Sequence, residues 1–160
     1  MTYFEDVRVG ERFELGRHTF TPDDIKAFAR RFDPQRFHLD EEAAAQSHFG
    51  ALCASGWHTA SAWMRLLAGY RRRQADAARS RGEPVGTTGP ALGFRELKWP
   101  TPVYANDTIE YVSEIVDIRA SGSQPKFGLV SMRTTGTNQN GGTVISFVST
   151  AFVERRPQMP

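Results

Sequence analysis

Asp33 and His38 are the residue pair in this sequence best suited to moving protons. Histidine titrates near neutral pH, and a carboxylate can take a proton from water. They stand five apart in the run FDPQRFHLD. On a continuous helix five residues turn through about 500°, so the two would not share a face. Pro34 breaks a helix in any case. The spacing therefore predicts the pair on a loop, where convergence on one point is allowed but not dictated. An Asp-Pro step is also an ordinary helix stop, and a histidine between Phe37 and Leu39 is often simply packed. On spacing alone the structural reading is favoured. A second element lies downstream at Ser55-Gly56-Trp57. Gly56 precedes a helical stretch, so backbone N–H groups there face outward at the positive end of the helix dipole. Such donors suit a carbonyl oxygen that gains charge in a transition state. Ser55 or Gly56 can equally be a plain N-cap, and both roles can hold together.

The elements that must position these residues are legible from the pattern. Glu11 to Thr21 reads as a strand with imperfect alternation of Phe13, Leu15 and Phe20. Thr21-Pro22-Asp23-Asp24 starts a helix: Thr21 caps, proline takes the first position and acids fill the first turn. Ile25, Phe28, Ala29 and Phe32 recur at helical spacing, and Asp33-Pro34 ends the run. Glu41 to Gln46 suggests a short helix. After Ser55-Gly56, Trp57, Ala60, Trp63, Met64, Leu67, Ala68 and Tyr70 cover most of a helix, which predicts a buried one. Arg79 to Pro90 reads as a loop. Ala91–Lys98, Thr108–Ile118, Lys126–Thr135 and Thr143–Glu154 read as strands. Val144–Val148 is apolar on both alternating sets, so it should be covered on both faces. Asn140-Gly141-Gly142 signals a hairpin. One strand, then helices, then antiparallel strands is an α+β plan, a sheet wrapped around one buried helix.

Composition narrows the function. The chain has 160 residues, 39% hydrophobic and 24% charged, with net charge +2. This fits one globular domain spanning 1–160 and no general nucleic-acid binding. No apolar run approaches the roughly 20 residues of a membrane span, and the N-terminus lacks a signal-peptide core. A cytoplasmic protein with no membrane association is expected. Cys53 is the one cysteine, which excludes an internal disulfide and suggests a small buried residue. The basic cluster Arg71-Arg72-Arg73, with Arg79 and Arg81, is either a solvated helix end or a contact for substrate phosphates. His18 and His48 read as structural or solvated, and His58 as a residue that could line the site.

The stretch from Phe28 to Thr59 resembles the hydratase motif of the MaoC-like family, the (R)-specific enoyl-CoA hydratases and related dehydratases. Asp33, His38, Asp40, Ala43-Ala44-Ala45, Phe49-Gly50 and Ser55-Gly56 carry the likeness. Trp99-Pro100-Thr101-Pro102-Val103 with Asn106-Asp107-Thr108, and Asn138-Gln139-Asn140-Gly141 with Val144, resemble further motifs in the same order. The resemblance implies a hotdog fold, an antiparallel sheet wrapped around a long central helix, paired as a homodimer. It implies an acyl-CoA thioester substrate, water added reversibly to a trans-2-enoyl-CoA to give an (R)-3-hydroxyacyl-CoA, and no metal or redox cofactor. Asp33 would activate the water, and His38 would hold it and exchange the proton at C2. The Gly56 N–H would polarise the carbonyl, with Ser55 and Trp57 beside it. Three departures stand out: Arg36 where the family often has proline, Met64 where some hydratases have serine, and Asn106 for a glycine. A long insertion from Arg71 to Pro90 could reshape the acyl pocket. An Arg36–Asp33 pair would weaken the base, which keeps a non-catalytic acyl-CoA-binding protein open. A hotdog thioesterase using the same Gly56 donors is the other alternative.

Overall fold

The computed structural model describes residues 3–157; the two ends of the expected 1–160 domain lie outside them. Five antiparallel strands form one sheet: β1 (Arg12–Thr19), β2 (Thr88–Lys98), β3 (Thr108–Ala120), β4 (Phe127–Thr137) and β5 (Thr143–Glu154), in the order β1-β3-β4-β5-β2. Four helices lie between β1 and β2: α1 (Pro22–Phe32), α2 (Arg36–Leu39), α3 (Glu41–Ala45) and α4 (Gly56–Ser80). This is the expected α+β hotdog plan, with α4 as the central helix.

Local chemistry explains the elements. The Thr21 hydroxyl accepts from the Asp24 N–H and caps α1, with Pro22 at its first position. In β1, Phe13 and Leu15 point inward, and a bulge at Gly16 (φ 118°) breaks the alternation. α4 lies across the sheet. The Trp63 ring meets Phe147 of β5 edge-on at 4.7 Å and Phe94 of β2 at 5.9 Å. Phe13 of β1 meets Tyr70 at 5.6 Å, and the Tyr111 hydroxyl of β3 donates to the Thr59 carbonyl at 3.0 Å. Burying Trp63 and Leu67 contributes about 1.5–3 kcal/mol each, and such contacts fix the helix on the sheet.

Three expectations change. The helix does not stop before Arg79 but runs to Ser80. The residues 71–80 of the supposed insertion are therefore helical, as a stretch of strong helix formers ending in Gly82 can be. Strand β2 begins at Thr88, earlier than Ala91, and contains Pro90. It is an edge strand paired on one side with β5, where a missing N–H costs no ladder bond. Finally, α4 is not buried on every side: Trp57 is 55% exposed and Met64 45%.

Candidate active site

Asp33 caps the C-terminus of α1, its N–H donating to the Ala29 carbonyl at 3.0 Å. Pro34 prevents the helix from continuing. The chain resumes as the single turn of α2, so His38 sits on a short helix rather than a loop. That turn brings the pair together: His38 Nε2 stands 3.5 Å from Asp33 Oδ2.

The protonation pattern of His38 follows from its other nitrogen. Nδ1 lies 2.7 Å from the Cys53 carbonyl oxygen. A carbonyl only accepts, so Nδ1 carries the hydrogen and donates. Nε2 is then the nitrogen that faces Asp33. The ring is 5% exposed, edge-on to Phe37 at 4.5 Å, which holds its plane. Asp33 is balanced differently. Burial pushes its carboxyl pKa up, but hydrogen bonds from the Ser55 and Gln35 side chains and the nearby His38 outweigh it. The net pKa lies below the ordinary carboxylate value, so Asp33 is ionised at neutral pH. Gln35 donates to Oδ1 at 2.8 Å, which leaves Oδ2 for His38.

The start of α4 is clamped from the far side of the chain. The Ala54 N–H donates to the Val103 carbonyl at 2.8 Å, and the Ala105 N–H to the Leu52 carbonyl at 3.0 Å. Asn106 takes the left-handed conformation (φ 71°) in the adjoining turn, as expected for a glycine substitute. Asp107 ties that turn together by accepting from the Tyr104 N–H and from Gln139. Ser55 caps α4 by accepting from the Trp57 N–H, and also donates to Asp33. Gly56 is the first helical residue, so its N–H has no acceptor within the helix. The Trp99 indole lies over Gly56 and donates to its carbonyl at 3.0 Å. A Cβ at position 56 would stand 2.7 Å from the ring. Trp57 and Trp99 meet edge to face at 5.3 Å.

Together these groups line a cleft of about 320 Å³. Asp33, His38, Ser55, Gly56 and Trp57 all border it; Phe37, Phe49, Trp99 and Val144 make its walls largely apolar. The arrangement can ionise a water at the Asp33–His38 end and hold a polarised carbonyl at a helix N-terminus. Sequence reading missed Gln35 and Trp99. Gln35 sits two residues past Asp33 without a chemical signature, and Trp99 is 43 residues from Gly56. Asp40, part of the motif, caps α3 by accepting from the Ala43 N–H.

Several other residues resolve plainly. Arg36 is exposed and makes no ion pair with Asp33. The Cys53 thiol is buried, and burial pushes its pKa up to about 11, so it is no nucleophile. His58 does not line the cleft. It stacks on Phe28 at 4.5 Å and meets Phe20 at 4.9 Å, with Nδ1 unpaired among the described residues. Burial first, and then His18, pull its pKa down to about 4 against the usual 6.5. The unfolded chain therefore takes up a proton as pH falls below 6.5, while the folded chain resists it until about 4. Stability is full above 6.5 and declines through this window by on the order of 3 kcal/mol. We expect urea unfolding at pH 4.5 and pH 7 to show this loss, and His58→Phe to flatten it. An equal pH dependence in the variant would refute the assignment.

A family described as "MaoC like domain" matches residues 6–138. A MaoC-like dehydratase from Rhodospirillum rubrum is 37% identical, with a TM-score of 0.80 over 99% of this chain and 100% of that one. The (R)-hydratase PhaJ1 of Pseudomonas aeruginosa has a TM-score of 0.66 at 22% identity, a likeness of fold, covering 99% of this chain and 94% of that one. Mesaconyl-CoA hydratase of Cereibacter sphaeroides is 35% identical over 65 residues, which span 41% of this chain but only 19% of that protein.

Proposed function

Because this chain belongs to the MaoC-like domain family, we propose that it adds water reversibly to a trans-2-enoyl-CoA, giving an (R)-3-hydroxyacyl-CoA. The family supports hydratase or dehydratase chemistry in general. The 3.5 Å approach of His38 to Asp33, in a cleft that also holds the free N–H end of α4, carries the finer reading.

In this reading the acyl group lies against the apolar walls and the thioester oxygen accepts from the Gly56 N–H. Asp33 and the lone pair of His38 Nε2 hold a water beside C3. As its oxygen bonds to C3, the double-bond electrons move to C2 and the carbonyl oxygen becomes an enolate. The Gly56 donor and helix dipole stabilise that charge. The proton lost by the water passes to this pair and returns at C2, so both groups end as they began. Asp33 is ionised and ready as the base at neutral pH. Arg36, exposed and away from Asp33, leaves the base unweakened. Wild-type protein should consume short-, medium- or branched-chain enoyl-CoA without releasing thiol to a thiol-reactive dye. Thiol release without hydration would favour a thioesterase.

The homodimer belongs to the same proposal. Strand β2 is an edge strand with Leu92 57% exposed and Phe94 half-exposed. An edge with open N–H and C=O groups and apolar side chains is a template for a second copy. Sedimentation equilibrium should give a dimer for the wild type and a monomer for Leu92→Asp. A wild-type monomer at micromolar concentration would count against it.

A further inference from the structure

The cleft that holds Asp33 and His38 has two properties that bear on which acyl group it takes. The first is the nature of its walls: Phe37, Phe49, Trp57 and Trp99 all border it. Trp57 is the informative one. It stands in the first turn of α4, one residue past Gly56, and is 55% exposed although it lines a concave site. A large apolar ring left open at a cleft marks a surface that a ligand can cover. Trp99 meets it edge to face at 5.3 Å, a contact that favours one setting of its plane.

The second property is charge. Asp33 is the one acid bordering the cleft, and no lysine or arginine borders it among the described residues. Arg36 is exposed outside it, and the Arg31 guanidinium lies over the Phe32 ring at 5.4 Å. Asp33 is ionised at neutral pH, so a carboxylate on the acyl group would face a like charge with no cation beside it. That carboxylate would also leave water for largely apolar walls.

We propose that the cleft selects an uncharged acyl group carrying an aromatic ring on C3, with the ring packed against Trp57. This selectivity rests on the acyl-thioester reading of the cleft and names the substrate class within it. The volume allows such a group: about 320 Å³ exceeds the roughly 150 Å³ in which an apolar cavity holds benzene. A saturated ring of the same carbon count gains burial there but not the ring-on-ring contact. Trp57 is then a specificity-determining residue that acts through its side chain, whereas Gly56 acts through its N–H.

Isothermal titration of the full chain with four saturated coenzyme A thioesters, none of which has a double bond to hydrate, tests it. The 3-phenylpropionyl thioester should bind about three- to tenfold more tightly than the 3-cyclohexylpropionyl one, which has the same carbon count but no flat ring. Hexanoyl-CoA should bind about tenfold more tightly than glutaryl-CoA, whose terminal carboxylate takes the place of an ethyl group. Trp57→Leu should bring the phenyl and cyclohexyl affinities together and leave the hexanoyl-to-glutaryl ratio in place. Trp57→Phe should restore much of the preference for the ring. Cyclohexyl binding as tight as phenyl, or a preference that Trp57→Leu leaves unchanged, overturns the proposal, as does glutaryl-CoA binding as tightly as hexanoyl-CoA. Binding without this selectivity removes the proposal alone; binding of none of the four removes the acyl-thioester reading as well.

Discussion

Asp33→Asn is expected to lower kcat/KM for enoyl-CoA hydration by about 10²–10⁴-fold, the usual contribution of a positioned acid or base. The amide keeps the shape of the carboxyl but cannot take a proton. His38→Gln should cost a similar factor, because glutamine can still donate toward the Cys53 carbonyl but presents no basic nitrogen to Asp33. The double variant should be little worse than either single one, since residues that share one proton act as a unit. Both variants should unfold in urea within about 1–2 kcal/mol of wild type, because neither leaves a large cavity. Gln35→Ala separates positioning from chemistry. It frees Asp33 Oδ1 and should lower kcat several-fold, far less than Asp33→Asn. Full activity in Asp33→Asn would remove it from the mechanism.

Gly56→Ala carries the second large effect. The new methyl group would stand 2.7 Å from the Trp99 indole, which already hydrogen-bonds the Gly56 carbonyl. Either the ring moves or the first turn of α4 does. Overpacking of this kind costs about 1–3 kcal/mol, partly offset by the better helix propensity of alanine, about 1 kcal/mol. A turn that moves also misplaces the N–H proposed to hold the enolate. Loss of an oxyanion donor costs about 10²–10³ in kcat, so a displaced one should cost at least tenfold. Trp99→Ala in the Gly56→Ala background should recover much of the loss by relieving the contact. If the double variant is no better than Gly56→Ala alone, the clash is not the cause.

What the sequence made legible depended on how local the cause was. The start of α1 was readable because Thr21, Pro22 and two acids are adjacent. The β4–β5 hairpin was readable because its turn residues are consecutive; Asn138 Oδ1 accepts from the Asn140 and Gly142 N–H groups to hold it. Strand β5, Thr143–Glu154, kept its expected bounds because its apolar run is continuous. The C-terminus of α4 was misread because arginine and alanine give no amphipathic stripe, although they form helix well. The exposed faces of Trp57 and Met64 were misread for the opposite reason: an apolar residue signals burial whether or not a neighbour is present.

The Asp33–His38 pair shows the same limit more sharply. Five residues and a proline permit many geometries, and nothing local selects the 3.5 Å approach. It is selected by contacts far along the chain. Cys53, which fixes the His38 ring through its carbonyl, lies 15 residues on and is itself bridged to Tyr104. Ser55, which joins Asp33 to the start of α4, lies 22 residues beyond it. Resemblance to a family supplied the pairing that spacing could not. Arg36 resolved only in three dimensions, because exposure is a property of the fold.

In the proposed reaction Asp33, His38 and the Gly56 N–H add water to a double bond and leave the thioester intact. Incubation of crotonyl-CoA with wild-type protein in ¹⁸O-labelled water, followed by chiral mass-spectrometric analysis of the products, tests it most directly. The expected product is (R)-3-hydroxybutyryl-CoA with one ¹⁸O on C3, formed about 10²–10⁴-fold more slowly by Asp33→Asn. Label in the carboxyl group of free crotonate, with no 3-hydroxyacyl thioester formed, would contradict it.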